Sequence, residues 1–341
     1  MKGFLLLLIT LIVGSAQAQN WQLAWSDEFD GTTLNLDNWT PVNAGTGFGN
    51  RELQYYSSRP DNLLVANGLL TITARLEAYQ VGTASWKYTS AKISSSGKKD
   101  FTYGKIEARI KLPHGAGTWP AFWTLGYGSW PSCGENDILE YVGSKPDEFQ
   151  SNVHTKDYNG SNGKNFHMVK PFPNVADTFH VFSIEWDSMR IKYFVDGNQY
   201  WTFSSLSVTP INYPFNNPNY LILNLAIGGT MGGVVDDGIF PQQLVIDYVR
   251  VYKNVASVNK EVSNNQPLLQ TEFSDKLSID FSETNLASNR VTLLDLTGKV
   301  LLDETTEERK LNVDTHFLNK GIYLVRLKTG NKIISQKIRK I

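Results

Sequence analysis

The sequence has a single cysteine, Cys133, among its 341 residues. An intramolecular disulfide is therefore impossible. A thiol nucleophile is a weak hypothesis, because it needs a nearby base and the residue serves equally well as a small buried side chain. The net charge is only −1 at pH 7. This balance gives no reason to expect nucleic acid or an anionic membrane surface as a partner.

Long hydrophobic runs are also absent, with one exception at the N-terminus. Lys2 is followed by the apolar run FLLLLITLIVG, and Ala16-Gln17-Ala18 has the small-x-small form of a signal peptidase site. We therefore predict a signal peptide at 1–18 and a secreted or cell-surface protein that begins near Gln19. A membrane anchor is the alternative, but the run is short for a bilayer span.

Tryptophan is missing after residue 201, whereas all nine tryptophans lie between Trp21 and Trp201. The segment VASVNKEVSNNQPLLQT, which begins at residue 255, is polar and without periodicity, as is typical of a linker. The predicted organisation is a large domain at 19–254, a linker at 255–267 and a small domain at 268–341.

The large domain lacks the pattern of a long amphipathic helix. Short alternating or aromatic-rich segments follow one another instead, and Asn67-Gly68 and Asp196-Gly197 are turn dipeptides typical of β-hairpins. Many antiparallel strands over this length favour a β-sandwich over an up-and-down barrel, although the two patterns differ little. The predicted fold class is all-β.

The segment CGENDILEYVG, residues 133–143, places Glu135, Asp137 and Glu140 in one hydrophobic stretch. Side chains alternate along a strand, so Glu135 and Asp137 share a face while Glu140 should point away. One extra residue within Ile138-Leu139, a β-bulge, would return Glu140 to that face, and bulges are common beside active sites. A helix would hold the two glutamates about 140° apart, which is poor convergence. A solvated edge strand is the alternative without function, but the neighbouring apolar residues favour burial.

Aromatic side chains flank these acids in the sequence. Trp119 and Trp123 lie upstream in GTWPAFWTLG, and His154 lies downstream in NVHTKDYNG. Indole rings have apolar faces and a polar edge, which suits them to the apolar faces and hydroxyl rims of sugars. Ordinary core packing is the alternative for each residue, but we expect at least one of the two tryptophans to be an exposed platform.

Paired acids flanked by aromatic platforms in an exported protein suggest glycoside hydrolysis. Two carboxyl groups about 5 Å apart allow a retaining double displacement, in which one attacks the anomeric carbon and the other protonates the leaving oxygen. A third carboxylate, Asp137, would raise the pKa of its neighbours by repulsion or share a proton with one of them.

The stretch GENDILEYVG resembles the E-x-D-x-x-E signature of glycoside hydrolase family 16, in the bulged version of its laminarinase-like members. The resemblance extends over most of residues 21–254, in the family's order, through WSDEFDG, GNRELQYYSS, NLLVANGLLTITAR, YTSAKI, YGKIEARIKLP, GTWPAFWTLG, FHVFSIEW, VDG, NLAIGG and IDYVRVY. It implies a concanavalin-like β-jelly-roll sandwich with a substrate cleft on its concave sheet. It also implies a nucleophile at Glu135, an acid/base at Glu140 and an assisting carboxylate at Asp137.

The same resemblance implies further sites. The sugar subsites would be lined by Asn50, Glu52, Trp119, Trp123, His154 and Asn224. No cofactor is expected for catalysis. Many family members hold a structural calcium on the convex side, and the corresponding positions here are Glu28 through its backbone oxygen, Gly68 and Asp247. Oxygen ligands of this kind suit a hard cation.

Three positions depart from the family pattern. Asn136 stands where an apolar residue is usual, and its side chain should point away from the acids. Lys92 replaces a common arginine and so removes a possible bidentate contact with sugar hydroxyls. Met231 stands where many laminarinases carry tryptophan, which leaves the substrate less firmly assigned than the reaction.

The tail of the chain has its own pattern. VTLLDLTGKVLLDE and GIYLVRLKTGNKIISQKIRKI alternate like the hairpins of a small β-sandwich. Residues 268–341 resemble the C-terminal sorting domain of type IX secretion cargo, which implies contact with that secretion machinery, outer-membrane export and removal of the tail. A carbohydrate-binding module is the alternative, but the lack of tryptophan argues against it.

Two classes of function therefore remain at this point. The first is an endo-acting, monomeric β-glucan hydrolase, with β-1,3-glucan as the favoured substrate and mixed-linkage glucan or a marine galactan as alternatives. The second is a glycan-binding protein without catalysis, against which the presence of all three acids argues. Linkage preference, chain-end behaviour and transglycosylation depend on loop shape and are not fixed by these motifs.

Overall fold

The computed structural model describes residues 21–341 except 210–211, 255–267, 270–271, 282–287, 296–298 and 330–331. The predicted signal peptide and linker therefore lie outside the described residues. The chain divides into two compact units, residues 1–255 and 256–341. Strands account for 56% of the structure and helices for 6%. Within the described ranges, no helix has the length and apolar character needed to cross a membrane.

Strands are the main secondary structure of the first unit. In chain order they are β1 (Trp21–Asp27), β2 (Thr40–Pro41), β3 (Gln54–Tyr56), β4 (Leu63–Ala66), β5 (Leu69–Val81), β6 (Ala84–Ser90), β7 (Lys92–Ser94), β8 (Asp100–Phe101), β9 (Gly104–Lys111), β10 (Thr118–Gly126), β11 (Glu135–Glu140), β12 (Glu148–His154), β13 (Phe166–Pro171), β14 (Phe179–Trp186), β15 (Arg190–Val195), β16 (Asn198–Ser204), β17 (Asn219–Ile227) and β18 (Gln242–Asn254). The helical segments are single turns, at Gly47–Gly49, Gly160–Asn162, Ser205–Ser207, Gly229–Gly232 and Asp237–Ile239.

These strands form two sheets. The first, which we call the back sheet, has the order β16-β15-β14-β9-β18-β5-β6-β3, with β1 beside β18 and β4 beside β5. The second, which we call the cleft sheet, has the order β13-β12-β11-β10-β17-β7-β2, with β8 beside β17. Phe122 and Leu223 of the cleft sheet and Ile106 and Phe182 of the back sheet are fully buried in one hydrophobic cluster. The predicted β-sandwich is confirmed.

The predicted hairpin turns follow from residues that tolerate positive φ. Asn67 and Gly68 have φ of 56° and 73° and join β4 to β5. Asp196 and Gly197 have φ of 49° and 75° and join β15 to β16. Both pairs match the mirror-image turns that suit the twist of antiparallel strands. The turn residues thus fix the register of strands in the back sheet.

The second unit is also built from strands. These are β19 (Leu268–Leu269), β20 (Glu272–Phe273), β21 (Lys276–Asp280), β22 (Asn289–Leu294), β23 (Val300–Thr306), β24 (Lys310–Asp314), β25 (Gly321–Thr329) and β26 (Lys332–Lys340). They form a three-stranded sheet, β19-β21-β24, and a five-stranded sheet, β20-β26-β25-β22-β23. Leu277 and Ile279 of the smaller sheet share a buried cluster with Val291 and Val325 of the larger one. The small β-sandwich predicted for the tail is therefore present.

Candidate active site

A cleft of about 680 Å³ lies over the cleft sheet. All nine residues predicted as catalytic or substrate-binding line it: Asn50, Glu52, Trp119, Trp123, Glu135, Asp137, Glu140, His154 and Asn224. Most of them come from β10, β11, β12 and β17, which are neighbours in the sheet. Alternate residues of these strands fill the core, so the remaining ones face the cleft.

A β-bulge in β11 places the three acids together. Trp123 of β10 pairs with Asp137, but the preceding Phe122 pairs with Leu139, so Ile138 has no partner on β10. The register shifts at the same point against β12. The extra residue reverses the alternation and returns Glu140 to the face of Glu135 and Asp137. The bulge predicted within Ile138-Leu139 is thus present in the strand.

The three carboxyl groups are held in surroundings that disfavour charge. Burial raises the pKa of Asp137 well above its usual range, and Glu140 adds to the effect. Burial likewise raises the pKa of Glu140. For Glu135, burial followed by repulsion from Asp137 raises the pKa to about 8. Acids so close together cannot all ionise at neutral pH, and such perturbed groups mark functional sites.

Three side chains from β10 and β12, the two strands on either side of β11, hold Glu140. Trp119 donates its indole N–H to Oε1 at 3.0 Å. Gln150 donates to Oε2 at 3.4 Å, and the amide of Asn152 donates to the same oxygen. Trp119 is buried apart from a small surface that lines the cleft, and its N–H is directed to the carboxyl group. Of the two tryptophans upstream of the acids, Trp123 is the half-exposed one.

Glu135 contacts a different set of groups. Trp130 donates its indole N–H to Oε2 at 2.9 Å. His154 Nε2 lies 3.6 Å from Oε1 and 3.3 Å from Oδ2 of Asp137. That Oδ2 atom is buried and accepts no hydrogen bond from a described residue. Glu135 is therefore fixed through Oε2, while Oε1 lies toward the histidine.

The donor set formed by Glu135, Asp137 and His154 does not fit a metal ion, although its ligand atoms lie within 4.8 Å of one another. The backbone N–H of Gly160 donates to His154 Nδ1 at 2.9 Å. The proton of the neutral ring is consequently on Nε2, the atom that faces the carboxyl groups. Histidines that bind metals normally donate a proton from the nitrogen that does not bind the ion, which is the opposite arrangement.

A chain of hydrogen bonds runs along one wall of the cleft, from Trp123 to Glu52. Trp123 donates to the side-chain oxygen of Asn224 at 2.7 Å, and the Asn224 amide donates to the Tyr56 hydroxyl at 3.1 Å. Tyr56 donates in turn to Glu52 at 2.9 Å, and Gln54 donates to the same carboxylate at 2.7 Å. This chain fixes the rotamers of four polar side chains along one wall before any ligand binds.

The three departures from the family pattern have distinct surroundings. Lys92 Nζ lies 4.8 Å from the ring centroids of Phe48 and Trp123, and burial lowers its pKa. Met231 lines the cleft, and its sulfur accepts a 3.7 Å hydrogen bond from Gln150.

Asn136 is buried and points away from the cleft, as predicted. Its side-chain oxygen accepts the hydroxyl proton of Tyr193, which comes from the back sheet.

Comparison with known proteins finds a matching family for each of the two units. Residues 50–250 match the model of glycosyl hydrolases family 16, and residues 273–340 match the secretion system C-terminal sorting domain. The chain is 44% identical to a beta-glucanase of Rhodothermus marinus over 254 residues, which is 70% of this chain and 87% of that protein. It is 36% identical to glucan endo-1,3-beta-glucosidase A1 of Niallia circulans, covering 68% of this chain but 38% of that protein.

A solved structure agrees with these matches. The X-ray structure of the laminarinase from Rhodothermus marinus aligns with a TM-score of 0.65 at 44% identity, over 69% of this chain and 98% of that one. The chain belongs to glycosyl hydrolase family 16. The family resemblance, the jelly-roll fold and the sorting domain predicted from the sequence are confirmed. Glycosidases of this family need no catalytic cofactor, and the sorting domain implies export by type IX secretion.

Sequence reasoning missed three residues of this glycosidase cleft. Trp130, Gln150 and Asn152 all donate hydrogen bonds to the acids. Trp130 lies only five residues before Glu135, and this spacing could have indicated a contact between them. Gln150 and Asn152 belong to β12, opposite Glu140 and Asp137. To predict them from the sequence, one must know which residues of β11 and β12 pair, and the bulge shifts that pairing.

The residues predicted to hold calcium lie away from the cleft. Glu28 follows β1, Gly68 is in the turn between β4 and β5, and Asp247 is in β18. Arg250 binds the Glu28 carboxylate through two hydrogen bonds, and Arg109 binds Oδ2 of Asp247. The backbone oxygens of Glu28 and Gly68 and the second Asp247 oxygen are the hard donors that a calcium ion prefers.

Proposed function

We propose that this family 16 glycosidase is an endo-acting, retaining hydrolase of laminarin-type β-1,3-glucan. The observation that carries the proposal is the bulge in β11, which gathers two buried carboxyl groups and one partly buried one on the floor of a tryptophan-lined cleft. The similarity to a laminarinase and to an endo-1,3-beta-glucosidase supports the choice of β-1,3 bonds.

Glu135 is the nucleophile and Glu140 the acid/base in this proposal. Glu135 forms a bond to the anomeric carbon as the glycosidic bond breaks, and Glu140 gives its proton to the leaving oxygen. Glu140 then takes a proton from the water that hydrolyses the glycosyl-enzyme. The raised pKa of Glu140 supports this role, because a general acid must carry its proton at the working pH.

Asp137 is the proton store between them. As a carboxylate, its buried Oδ2 would accept no hydrogen bond from a described residue, because His154 Nε2 lies 3.3 Å away but outside hydrogen-bond geometry. A protonated carboxyl group at that point can instead donate. Repulsion from Asp137 is also one cause of the raised pKa of Glu135. A proton kept on Asp137 removes that repulsion and lets the nucleophile ionise.

The sugar subsites are assigned to the remaining cleft residues. Trp123 offers a partly exposed ring face, and Lys92, Asn50, Glu52, His154 and Asn224 offer polar groups for sugar hydroxyls. Met231 in place of a tryptophan leaves one stacking surface smaller. Lysine at 92 supplies a single ammonium donor where a guanidinium would bind in two-point fashion.

The first experiment compares four polysaccharides in parallel. Purified full-length protein is incubated with laminarin, lichenan, agarose and κ-carrageenan, and new reducing ends are measured. We expect fast cleavage of laminarin. Faster cleavage of lichenan or of a galactan would agree with the proposed mechanism but would show that β-1,3-glucan is not the preferred substrate. Binding of laminarin without cleavage of any polysaccharide would favour a glycan-binding protein.

Stereochemistry tests the mechanism separately. Proton NMR of the earliest laminarin products should show β-anomers, because a double displacement retains configuration. Initial release of α-anomers would contradict the nucleophilic role of Glu135.

Location and assembly complete the proposal. The signal peptide at 1–18 starts export, the second unit engages the type IX secretion machinery, and the tail is removed at the outer membrane. The mature enzyme acts as a monomer. A structural calcium bound by the backbone oxygens of Glu28 and Gly68 and by Asp247 stabilises the back sheet without entering the reaction.

A further inference from the structure

The turn between β10 and β11, residues 127–134, approaches the nucleophile from the solvent side. Trp130 is the only side chain of this turn that donates a hydrogen bond to an acid of the cleft among the described residues. Its Nε1 lies 2.9 Å from Oε2 of Glu135. The ring is 43% exposed and lines the cleft, so the bond occurs at the edge of the site where water has access.

The backbone of this turn is closely fixed. The N–H of Gly126 donates to the Gly134 carbonyl at 2.9 Å, and Cys133 N–H donates to the Ser129 carbonyl at 3.0 Å. A Cβ at Gly134 would lie 2.4 Å from Pro214, and φ is +83° there, so only glycine suits the position. A turn held this tightly can keep an indole N–H at a constant place.

The two oxygens of Glu135 have different environments. Oε2 accepts the proton of Trp130, whereas Oε1 accepts no hydrogen bond from a described residue and lies 3.6 Å from His154 Nε2. A carboxylate attacks with one oxygen and keeps the other as the carbonyl oxygen of the new ester. The oxygen without a fixed donor is the better nucleophile, since attack does not require a hydrogen bond to break.

We propose that Trp130 is the positioning residue of the nucleophile, and that it selects Oε1 of Glu135 as the attacking atom by holding Oε2. This inference rests on the proposed function of Glu135. In the first step, Oε1 bonds to the anomeric carbon, the glycosidic C–O bond breaks, and the leaving oxygen takes the Glu140 proton. Oε2 becomes the ester carbonyl and still accepts from Trp130. The contact therefore persists through both steps of the reaction.

The same contact favours the ionised nucleophile. A hydrogen bond to a carboxylate stabilises its charged form, and Trp130 is one of the contacts that oppose the effect of burial on Glu135. The other titratable groups near Glu135 are Asp137, Glu140, His154, Lys92, Cys133 and Tyr220.

The test compares Trp130→Phe, which keeps a ring and loses the N–H, with the unchanged protein. We expect kcat/KM on a chromogenic laminari-oligosaccharide to fall by about 10- to 100-fold, with KM changed by less than about threefold. The acidic limb of the pH profile should move to higher pH. Trp130→His, which restores an N–H, should recover part of kcat.

Tyr127→Phe is the matched control. Tyr127 lies in the same turn, but its hydroxyl bonds to Asp100 at 3.1 Å and not to a cleft acid. This variant should keep both kcat and the pH profile. An unchanged kcat with a raised KM in Trp130→Phe would make Trp130 a sugar platform only, and would overturn the inference.

A second readout does not depend on turnover. In protein labelled with 13C at the glutamate carboxyl carbon, the Glu135 signal is assigned by its loss in Glu135→Gln. Its titration midpoint should rise by about one pH unit in Trp130→Phe, because a hydrogen bond to a charged group is lost. The same Glu135 midpoint in Trp130→Phe and in the unchanged protein would refute the contact. If the midpoint rises but the unchanged protein cleaves no glucan, the proposed function is refuted and the contact is retained.

Discussion

Two partly buried glutamates, Glu135 in the cleft and Glu77 in the back sheet, show how the surroundings of a carboxyl group decide its use. Their side chains are 18% and 27% exposed. Burial acts to raise the pKa of Glu77, but hydrogen bonds from Thr89 and Arg59 outweigh it and hold that pKa below its usual range. Among the described residues, no lysine or arginine donates a hydrogen bond to Glu135, and its pKa rises to about 8.

The difference separates stability from chemistry. Glu77 forms an ion pair with Arg59, and both side chains gain from folding. Among the described residues, no lysine or arginine lies within ion-pair distance of the three cleft acids, where His154 is the nearby base. The cleft therefore keeps its acids at a cost in stability, which the sandwich core offsets. Exchanging each glutamate for glutamine should reveal this contrast.

The largest effect should be on turnover. We expect Glu135→Gln to lower kcat on laminarin by about 10³-fold or more, because the amide cannot form the glycosyl-enzyme. Glu77→Gln, which lies outside the cleft, should keep kcat within about twofold of the unchanged protein. Reducing-end assays on both variants provide the comparison. Near-normal turnover in Glu135→Gln would remove this residue from the mechanism.

A buried pair beneath the cleft should have the next largest effect. Tyr193 of the back sheet donates to Asn136, which lies on the inner side of the acid-bearing strand. Asn136→Leu should cost about 2–3 kcal/mol of unfolding free energy, because the Tyr193 hydroxyl loses its acceptor. The double variant with Tyr193→Phe should recover more than 1 kcal/mol of that loss, on the order of a measured coupling between contacting residues.

Urea unfolding followed by tryptophan fluorescence measures this cycle. All nine tryptophans lie in the first unit, so the signal excludes the sorting domain. Turnover should change little in each variant, because Asn136 points away from the acids. Additive costs in the double variant would show that the two side chains act independently.

Opposite pH trends in stability should follow. The Glu135 pKa is raised from 4.5 to about 8, so its charge destabilises the folded state progressively as pH rises through that window. Glu135→Gln should therefore gain melting temperature over the unchanged protein between pH 5 and pH 8. The Glu77 pKa is lowered, so its contribution, about 1–2 kcal/mol, is present above pH 4.5 and is lost as pH falls below it.

Calorimetric scans at a series of pH values check both trends. Glu77→Gln should be less stable at pH 7 and approach the unchanged protein in acid. If the two variants followed the same trend, the contrast between the cleft and the back sheet would be wrong.

The all-β class and the convergence of the acids could be predicted from the residues themselves because both depend on short-range patterns, whereas the jelly-roll topology was implied only by the family resemblance. Asn67-Gly68 determines a hairpin through its own positive φ values, and the odd spacing of Glu140 from Glu135 requires a bulge in any strand that uses both. Neighbouring residues alone supply these constraints.

Contacts between distant segments could not be predicted in this way. The partner of Asn136 lies 57 residues away on another sheet. Gln150 and Asn152 reach Glu140 only because β12 pairs with β11 in one particular register. The hydrogen bond from the Trp119 N–H to Glu140 was likewise not predicted from the sequence. Such roles depend on register and rotamer, which single-sequence patterns do not contain.

Asp247 is a third kind of carboxylate, for which the described residues provide an ion-pair partner at one oxygen only. Arg109 binds its Oδ2, and the side chain is 33% exposed. If the remaining oxygen helps to hold calcium, a free calcium concentration of ten times Kd should add about 1.4 kcal/mol of stability. For a unit of this size, that corresponds to a rise in Tm of about 3–6 °C.

Two variants separate the cation from the ion pair in this last test. Asp247→Asn weakens both interactions, whereas Arg109→Gln breaks the ion pair and keeps both oxygens of Asp247. The rise in Tm with calcium over EDTA should disappear in the first variant and persist in the second, with magnesium as the ionic control. A rise that survives in Asp247→Asn would place the cation elsewhere. Loss of the rise in Arg109→Gln would instead show that the guanidinium is needed to orient the carboxylate, so that one back-sheet acid depends on both kinds of partner.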